Sequence, residues 1–400
     1  LKNSQHNILI VTDNPFPVGL AATHRIIAYA RGFITNGCRV QVICCKKTEC
    51  KTSVHNRATH GIYRGIEFRY IPGTTVKSKY LLKRKMDGVW GGLKLLSWSI
   101  MHFNDRPVVI YYGLSTATAI ILKLSSLLKG SILLKEENEH ISIRLASKNI
   151  FSGFVFKHIH YHLFDGVLLI TKKLIEYFQK NYPKKKIHHV PILVDAENLP
   201  QRENRSNKIT YCGIFDNDGV DTLIKAFQMV VKKFPQYQLQ LIGMAKKDRI
   251  EKELRALVNQ ANLTDQVIFR GPQPHEVVGY ELSKSALLVL ARPESIQAQY
   301  GFPTKLAEYL ITSNPVVVTS VGEIPDYLKD NKNAYLAVPG DVMTLSEKIQ
   351  EALSFPLRAA KIGAEGRNAA LAYFNNIYET KKIIEWIEKN LIRSGENNKY

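Results

Sequence analysis

The sequence predicts an α/β protein built from two doubly wound, Rossmann-like domains that face a central cleft. Three observations carry this expectation. The chain has 400 residues, 45% of them hydrophobic, which is enough for two cores and more than one domain usually holds. Short β-branched runs alternate with longer amphipathic stretches, the pattern of parallel strands covered by helices. That alternation starts afresh near residue 208, after a polar stretch without periodicity. Two such domains facing each other place a ligand cleft between the carboxyl ends of their strands.

The first domain, residues 1–194, opens with a strand over Asn7–Val11, a Pro/Gly loop over Asn14–Gly19, a helix from Ala21 to Asn36 and a strand over Arg39–Cys44. The stretch Met86–Phe103 carries Val89, Trp90, Leu93, Leu96 and Ile100 at helical spacing, although Gly88, Gly91 and Gly92 disfavour a helix. Further strands are expected at Val108–Tyr112, Ser131–Lys135 and Gly166–Ile170. Residues 195–207 are polar, contain Pro200 and read as a linker. The second domain, residues 208–374, repeats the plan: a strand over Lys208–Gly213, a helix over Val220–Phe234, a strand over Gln238–Ile242, a helix ending near Asn259 and a strand over Gln266–Arg270. Strands at Ala286–Leu290 and Pro315–Thr319 bracket another helix, and a final amphipathic helix runs from about Asn375 to Ile392.

Charge is distributed unevenly. Of the formal +20, residues 1–190 hold 29 Lys/Arg against 10 Asp/Glu, a net of +19, and residues 191–400 hold 26 against 25, a net of +1. Such a field attracts nucleic acid, an anionic membrane or a phosphorylated substrate. No RNP-like strand, helix-turn-helix or zinc knuckle accompanies it, so nucleic acid is not expected as a partner. The longest uncharged apolar stretch, Pro107–Leu122, is interrupted by Lys123 and falls short of the ~20 apolar residues a spanning helix needs. The run Ile8–Val11 is too brief for a signal-peptide core. A cytoplasmic location is expected, with peripheral attachment to the inner face of the cell membrane as an option. Cys38, Cys44, Cys45, Cys50 and Cys212 lack paired CxxC spacing and read as inert thiols.

The most informative segment is Ala291–Leu310, ARPESIQAQYGFPTKLAEYL. Pro303 suits the first turn of a helix, where its missing N–H has no partner to lose, and Gly301 permits a tight entry. A helix starting near Thr304 offers free N–H groups and a positive dipole end to an anion, and Lys305 adds a mobile cation. Glu308, three residues on, shares a helical face with Lys305 and can accept hydrogen bonds from vicinal hydroxyls such as those of ribose. The pair suits a nucleotide diphosphate; an exposed ion pair on an ordinary surface helix is the plainer alternative.

The strings GFPTKLAEYL and NPVVVTSVGEIPD resemble the donor-site region of the retaining GT-B glycosyltransferases of family 4, in an FPxKLxEY variant. ITYCGIFDNDGVDTLIKAF, DGVLLITKKLIEYF and VPILVD resemble further segments of that family, in the right order over nearly the whole chain. The resemblance implies the GT-B fold and transfer of a sugar, with retention, from a nucleotide-diphosphate donor to an acceptor hydroxyl. It further implies a donor site in the second domain, an acceptor site in the first, and a last helix, within 375–400, that crosses back onto the first. Glu308 matches the ribose-holding glutamate, Lys305 would approach the diphosphate, Gly213 would let the backbone come close to it, and Gly271 falls in the base-binding loop. Gly301 and Thr304 complete the donor-binding set. The family's usual arginine and lysine near the glycine turn are Ile214 and Asp218 here, so Arg292 is the candidate replacement cation, with a solvated loop arginine as the alternative. The family's paired glutamate is Tyr300 here, which leaves the donor sugar to Gln299, Gln297 or Glu294; Gln299 is preferred. Catalysis would rest on Lys305, Arg292 and the helix N-terminus stabilising the leaving diphosphate, with Glu308 holding the donor.

On the acceptor side, Gly19 precedes a helix, where close approach to a ligand and simple turn duty are equal readings. In Lys135–His140, Glu137 or Glu139 could orient an acceptor hydroxyl or belong to a solvated acidic loop. Asp216 and Asp218 form a DxD, a metal motif in another glycosyltransferase fold, but Asp also favours turns and helix caps. No metal or other cofactor is expected. Lys77, Lys79, Lys83, Arg84 and Lys85 lead into the Trp90-bearing stripe, so residues 77–103 fit either an anionic membrane surface or packing on the sheet with solvated cations. The expected partners are a nucleotide-diphosphate sugar and a glycan or lipid-linked acceptor, in building a surface polysaccharide, lipopolysaccharide or capsule. A non-catalytic GT-B-like protein binding a nucleotide or a partner is the alternative, and a nucleotide-sugar epimerase of the same fold is a more distant one.

Overall fold

The structure, a computed structural model, describes residues 6–52, 54–103, 105–146, 149–195 and 206–392. It divides into two compact units, Leu1–Asp195 with Asn376–Tyr400, and Ala196–Asn375. Residues 196–205 of the expected linker and 393–400 at the end of the expected final segment lie outside the described residues.

Unit 1 runs β1 (Asn7–Thr12), α1 (Ala21–Thr35), β2 (Arg39–Cys44), β3 (His60–Tyr63), β4 (Ile66–Tyr70), α2 (Leu81–His102), β5 (Val108–Tyr112), α3 (Thr116–Lys129), β6 (Ile132–Glu137), α4 (Ile141–Leu145), α5 (Ile150–His158), β7 (Gly166–Leu169), α6 (Lys172–Asn181) and β8 (Lys186–His189). Its eight strands are ordered β3-β4-β2-β1-β5-β6-β7-β8, parallel except where β3 pairs antiparallel with β4. β1 lies at the centre because it is buried on both faces. Ile8 and Ile10 join one core with Ile26 and Phe33 of α1, while Leu9 and Val11 join another with Leu95 and Trp98 of α2 and Leu122 of α3. A strand covered on both sides reads as an unbroken apolar run, as Ile8–Val11 does.

α2 starts at Leu81 rather than Met86, and its glycines do not break it. A Cβ at Gly92 would press on Ile121 of α3 at 3.1 Å, so glycine there lets two helices approach closely. With Gly91, Leu95, Trp98 and Ser99 form the buried side. The expected stripe lies on the opposite side: Val89, Trp90, Leu93 and Ile100 are exposed, Trp90 at 62%, and Leu96 is half-buried.

Unit 2 runs β9 (Lys208–Ile214), α7 (Val220–Lys233), β10 (Gln238–Met244), α8 (Asp248–Gln260), β11 (Val267–Gly271), α9 (His275–Lys284), β12 (Leu287–Leu290), α10 (Ile296–Tyr300), α11 (Thr304–Ile311), β13 (Val316–Thr319), α12 (Ile324–Tyr327), β14 (Tyr335–Ala337), α13 (Val342–Ser354) and α14 (Pro356–Tyr373). Six parallel strands are ordered β11-β10-β9-β12-β13-β14. Strand order therefore reverses between β9 and β12, as it does between β1 and β5 in unit 1. Ligands of open α/β sheets gather at the carboxyl ends of the strands flanking such a reversal.

The last helix, α15 (Asn376–Ile387), packs along α1 within unit 1. Asn376 Nδ2 donates to the Ala28 carbonyl at 3.0 Å, and Asn36 Nδ2 donates to the Ile377 carbonyl at 2.8 Å. A Cβ at Gly32 would strike the Asn376 carbonyl. Ile383 and Ile387 complete the core on that face of the sheet.

Candidate functional site

At the carboxyl end of the unit 2 sheet, three pieces of chain converge: the end of β9, the residues after β12 and the start of α11. α11 is anchored by Leu306, Ala307, Leu310 and Ile311, all buried, and by Tyr309, whose hydroxyl accepts from Cys212 N at 2.6 Å and donates to Cys212 O at 3.2 Å. This anchoring holds Lys305 against Gly213, where a Cβ would run into the Lys305 ammonium. The glycine thus makes room for a side chain of its own protein. α11 follows Pro303 and begins at Thr304 without a side-chain cap, the condition in which helix N–H groups meet water or an anion. Gly301, buried, closes α10 just before this entry.

Lys305 is not a free surface cation. Its ammonium makes a close ion pair with Asp218 and lies 3.1 Å from the Tyr211 hydroxyl, which in turn donates to Asp218 Oδ2 at 2.9 Å. Arg292 comes from the other side, its Nε 3.9 Å from Asp218 Oδ1. The side chain of Arg292 is only 7% exposed, so it is not a solvated loop arginine. Burial alone would raise the Asp218 pKa, but Lys305 and Arg292, with the Tyr211 hydrogen bond, hold the carboxyl below the usual range. Burial pushes the Tyr211 phenol well up, so it stays a donor. The reading of position 218 as merely a lost cation is thereby corrected: Asp218 is the hub of the cluster. The other carboxylate of the DxD, Asp216, instead accepts from the Lys246 N–H at 2.7 Å.

The other residues expected to bind the donor lie on α11, at the end of β11 and on α10. Glu308 sits one turn along α11 from Lys305 and is partly buried. Gly271 ends β11 with φ +66°, and a Cβ there would meet open space; the turn requires glycine for its backbone angle. Gln299 Nε2 donates to Glu294 at 2.6 Å, and the Gln297 carbonyl lies 3.4 Å from Arg292 Nη2. The structure thus brings Lys305, Arg292, Gly213 and Asp218 together and leaves Gln299 of α10 hydrogen-bonded to Glu294 in the loop before that helix.

In unit 1 the acidic segment differs from the expectation. Glu137 is not on a solvated loop; it is fully buried at the end of β6. Arg144 donates to it through Nε at 3.0 Å and Nη2 at 2.9 Å, and the Tyr161 hydroxyl at 2.8 Å. Burial would raise its pKa, but Arg144 and Lys135 outweigh that and hold it at about 2. Glu136, also buried, accepts from Arg25 at 2.6 Å and Tyr29 at 2.9 Å. Glu139 alone of the three reaches the surface, its side chain 28% exposed and paired with Arg144 at 2.9 Å. Gly19 is packed so closely that a Cβ would strike the Thr23 side chain, which accounts for glycine there without a ligand.

Residues 196–369 match the family model of glycosyl transferases group 1. That stretch contains the whole Lys305–Asp218–Arg292 cluster. Two curated relatives are similar: poly(ribitol-phosphate) alpha-N-acetylglucosaminyltransferase of Staphylococcus aureus, 23% identical over 58% of this chain and 44% of its own length, and an uncharacterized glycosyltransferase of Methanocaldococcus jannaschii, 24% identical over 62% of this chain and 66% of its own. The chain thus spans about half to two thirds of the length of these relatives. Among solved structures, Anabaena HepE in complex with UDP and glucose superposes with a TM-score of 0.72 at 14% identity, over 95% of this chain and 99% of that one. The likeness shows the fold, GT-B, with two Rossmann-like α/β units.

Sequence reasoning located Lys305, Arg292 and Gly213 but not the role of Asp218 or of Tyr211. Asp218 and Lys305 stand 87 positions apart, and no local pattern pairs them. Tyr211, one position from Cys212 in a buried strand, carried one available signal, a polar hydroxyl that must find a partner where the strand emerges.

Proposed function

We propose that this protein is a retaining glycosyltransferase of the family 4 type that moves a sugar, of hexose kind, from a nucleotide-diphosphate donor to a glycan or lipid-linked acceptor. The observation that carries this reading is the convergence of Lys305, Arg292 and the α11 start at the carboxyl end of the unit 2 sheet, inside the stretch that matches the group 1 model. Two cations and a helix N-terminus stabilise a diphosphate most when it leaves, because its charge grows as the glycosidic bond breaks. Glu308 on the same helix holds the ribose hydroxyls, Gly271 lies in the base-binding loop, and Gln299 turns from Glu294 to the sugar. The UDP and glucose bound by HepE and the sugar transferred by the S. aureus relative support the substrate class.

The acceptor belongs to unit 1, with Glu139 as its candidate contact. Surface-glycan synthesis at the inner face of the cell membrane accords with the exposed side of α2. There Met86, Val89, Trp90 and Leu93 form an apolar face, preceded by Lys77, Lys79, Lys83, Arg84 and Lys85. Cations near an anionic leaflet contribute about 1 kcal/mol each. No helix among the described residues is long and apolar enough to cross a membrane, and attachment through this face is peripheral.

Hydrolysis and transfer assayed over a panel of nucleotide sugars test the reading. Turnover with one donor, loss of at least roughly 100-fold in Lys305→Ala, as for removal of an anion-stabilising donor, and an unchanged anomeric configuration by NMR are expected. Tight nucleotide binding without turnover of any donor would instead favour a non-catalytic nucleotide-binding role, the reading favoured by the pairing of Lys305 with Asp218.

A further inference from the structure

We infer that Asp218 is an affinity-setting residue of the donor site: a built-in carboxylate that occupies the anion position on Lys305 and competes with the diphosphate for it. The inference rests on the donor-site reading above and goes beyond it, because it assigns a role to a residue whose charge has the wrong sign for a phosphate contact.

The geometry carries it. Asp218 presents one oxygen to the Lys305 ammonium and the Tyr211 hydroxyl and the other toward Arg292. These are the directions from which a phosphate group would draw its hydrogen bonds. The carboxylate does not arrive there by chance of a loose loop. It is the last residue before Gly219, which caps α7 with φ +69° and whose α-carbon lies so close to the Ala291 carbonyl that no Cβ fits. The Tyr211 hydroxyl also contacts the Ile214 carbonyl at 2.8 Å, tying the start of the same loop. Gly213 in turn leaves space for the ammonium on its side. The loop from β9 to α7 is thus held so that a carboxylate sits between two cations.

The consequence is electrostatic. Lys305, Arg292 and Asp218 together carry a net +1, where the two cations alone would offer +2. The side chains of Lys305 and Asp218 are only 18% and 14% exposed, so water screens their attraction weakly. A nucleoside diphosphate must displace the Asp218 carboxylate from Lys305 or share the ammonium with it. Either way, part of the binding energy offsets the broken pair. For a transferase whose product is the nucleoside diphosphate, such a competitor favours release.

Isothermal titration of the intact chain with UDP, ADP and GDP, at low and high salt, tests this with wild type, Asp218→Asn and Lys305→Ala. Removing one competing charge-assisted hydrogen bond should tighten binding of the cognate diphosphate by roughly tenfold in Asp218→Asn, with a steeper salt dependence than wild type, while Lys305→Ala weakens it. Asp218→Ser, smaller and neutral, should shift affinity in the same direction and serves if the Asn variant does not fold. Equal or weaker binding in the neutral variants, with wild type and Lys305→Ala behaving as stated, would overturn the competitor role and make Asp218 a support for Lys305. Binding detected only in the neutral variants would uphold it. Absence of binding of any diphosphate by every folded variant would overturn the donor-site reading itself, and the inference with it.

Discussion

At the scale of single residues, the buried charges of unit 1 decide more than their number suggests. Lys135, Glu136 and Glu137 are consecutive on β6 and all buried, an arrangement that survives because Lys135 pairs with Glu137 at 3.5 Å and both carboxylates have partners from elsewhere: Arg25 and Tyr29 from α1 for Glu136, Arg144 from α4 and Tyr161 from the turn after α5 for Glu137. Breaking one side leaves a buried charge uncompensated, so Glu137→Gln should destabilise unit 1 by about 3–5 kcal/mol, read as a lower melting temperature. The pH sign follows from the shift. Glu137 titrates at about 2 in the folded chain against an ordinary 4.5, so its contribution is fully present above about pH 4.5 and is lost as pH falls toward 2. Acid unfolding monitored by circular dichroism should therefore be less steep over that interval in Glu137→Gln than in wild type. None of this was legible in KEENEH read as a string. An acidic run usually signals a solvated loop, whereas here Lys135–Glu137 lie on an interior strand and the charge of Glu136 is met by Arg25, 111 positions away, on another element.

At the scale of elements, legibility followed covering. Strands buried along their whole length, such as β5, β7 and β12, carry no charged residue and stand out from their flanks. β3 at the sheet edge is largely exposed and β8 is mixed, so neither carries a periodic signal. α2 shows how helical spacing can mark a helix and leave open which face turns inward. Its spacing marks Val89, Trp90, Leu93, Leu96 and Ile100, but the sheet and α3 are met by Gly91, Gly92, Leu95, Trp98 and Ser99, because small residues let the helix come close. Packing on the sheet was one of two explanations for the stripe, and its exposure removes that one. α3, which α2 packs along, also exposes apolar residues, Leu124, Leu127 and Leu128. Large exposed apolar faces mark interaction sites. We expect Trp90→Asp with Leu93→Asp to abolish flotation with vesicles containing anionic lipid, while donor hydrolysis in solution stays unchanged. Flotation that persists in this variant would place membrane contact elsewhere.

At the scale of the whole molecule, the chain behaves as two cores with one exchanged element, since α15 follows unit 2 in sequence and packs in unit 1. This separation makes the two halves distinguishable by heat. Ile383 is fully buried among residues of unit 1, so Ile383→Ala removes core volume there and should cost about 2–5 kcal/mol, or roughly 5–15 °C for a unit of this size. The Lys305–Asp218–Arg292 cluster lies wholly in unit 2, so under the proposed donor role a bound nucleoside diphosphate raises the melting temperature of that unit by mass action. Scanning calorimetry should accordingly resolve two transitions, of which Ile383→Ala lowers one and the diphosphate raises the other. The uneven charge adds an independent assignment. With a net +19 in residues 1–190 and +1 in residues 191–400, the transition lowered by Ile383→Ala should also be the more sensitive to added salt, because self-repulsion within the basic half is what salt relieves. If Ile383→Ala and the diphosphate instead act on one and the same transition, the two units unfold together, and the boundary near residue 376 does not separate independent cores.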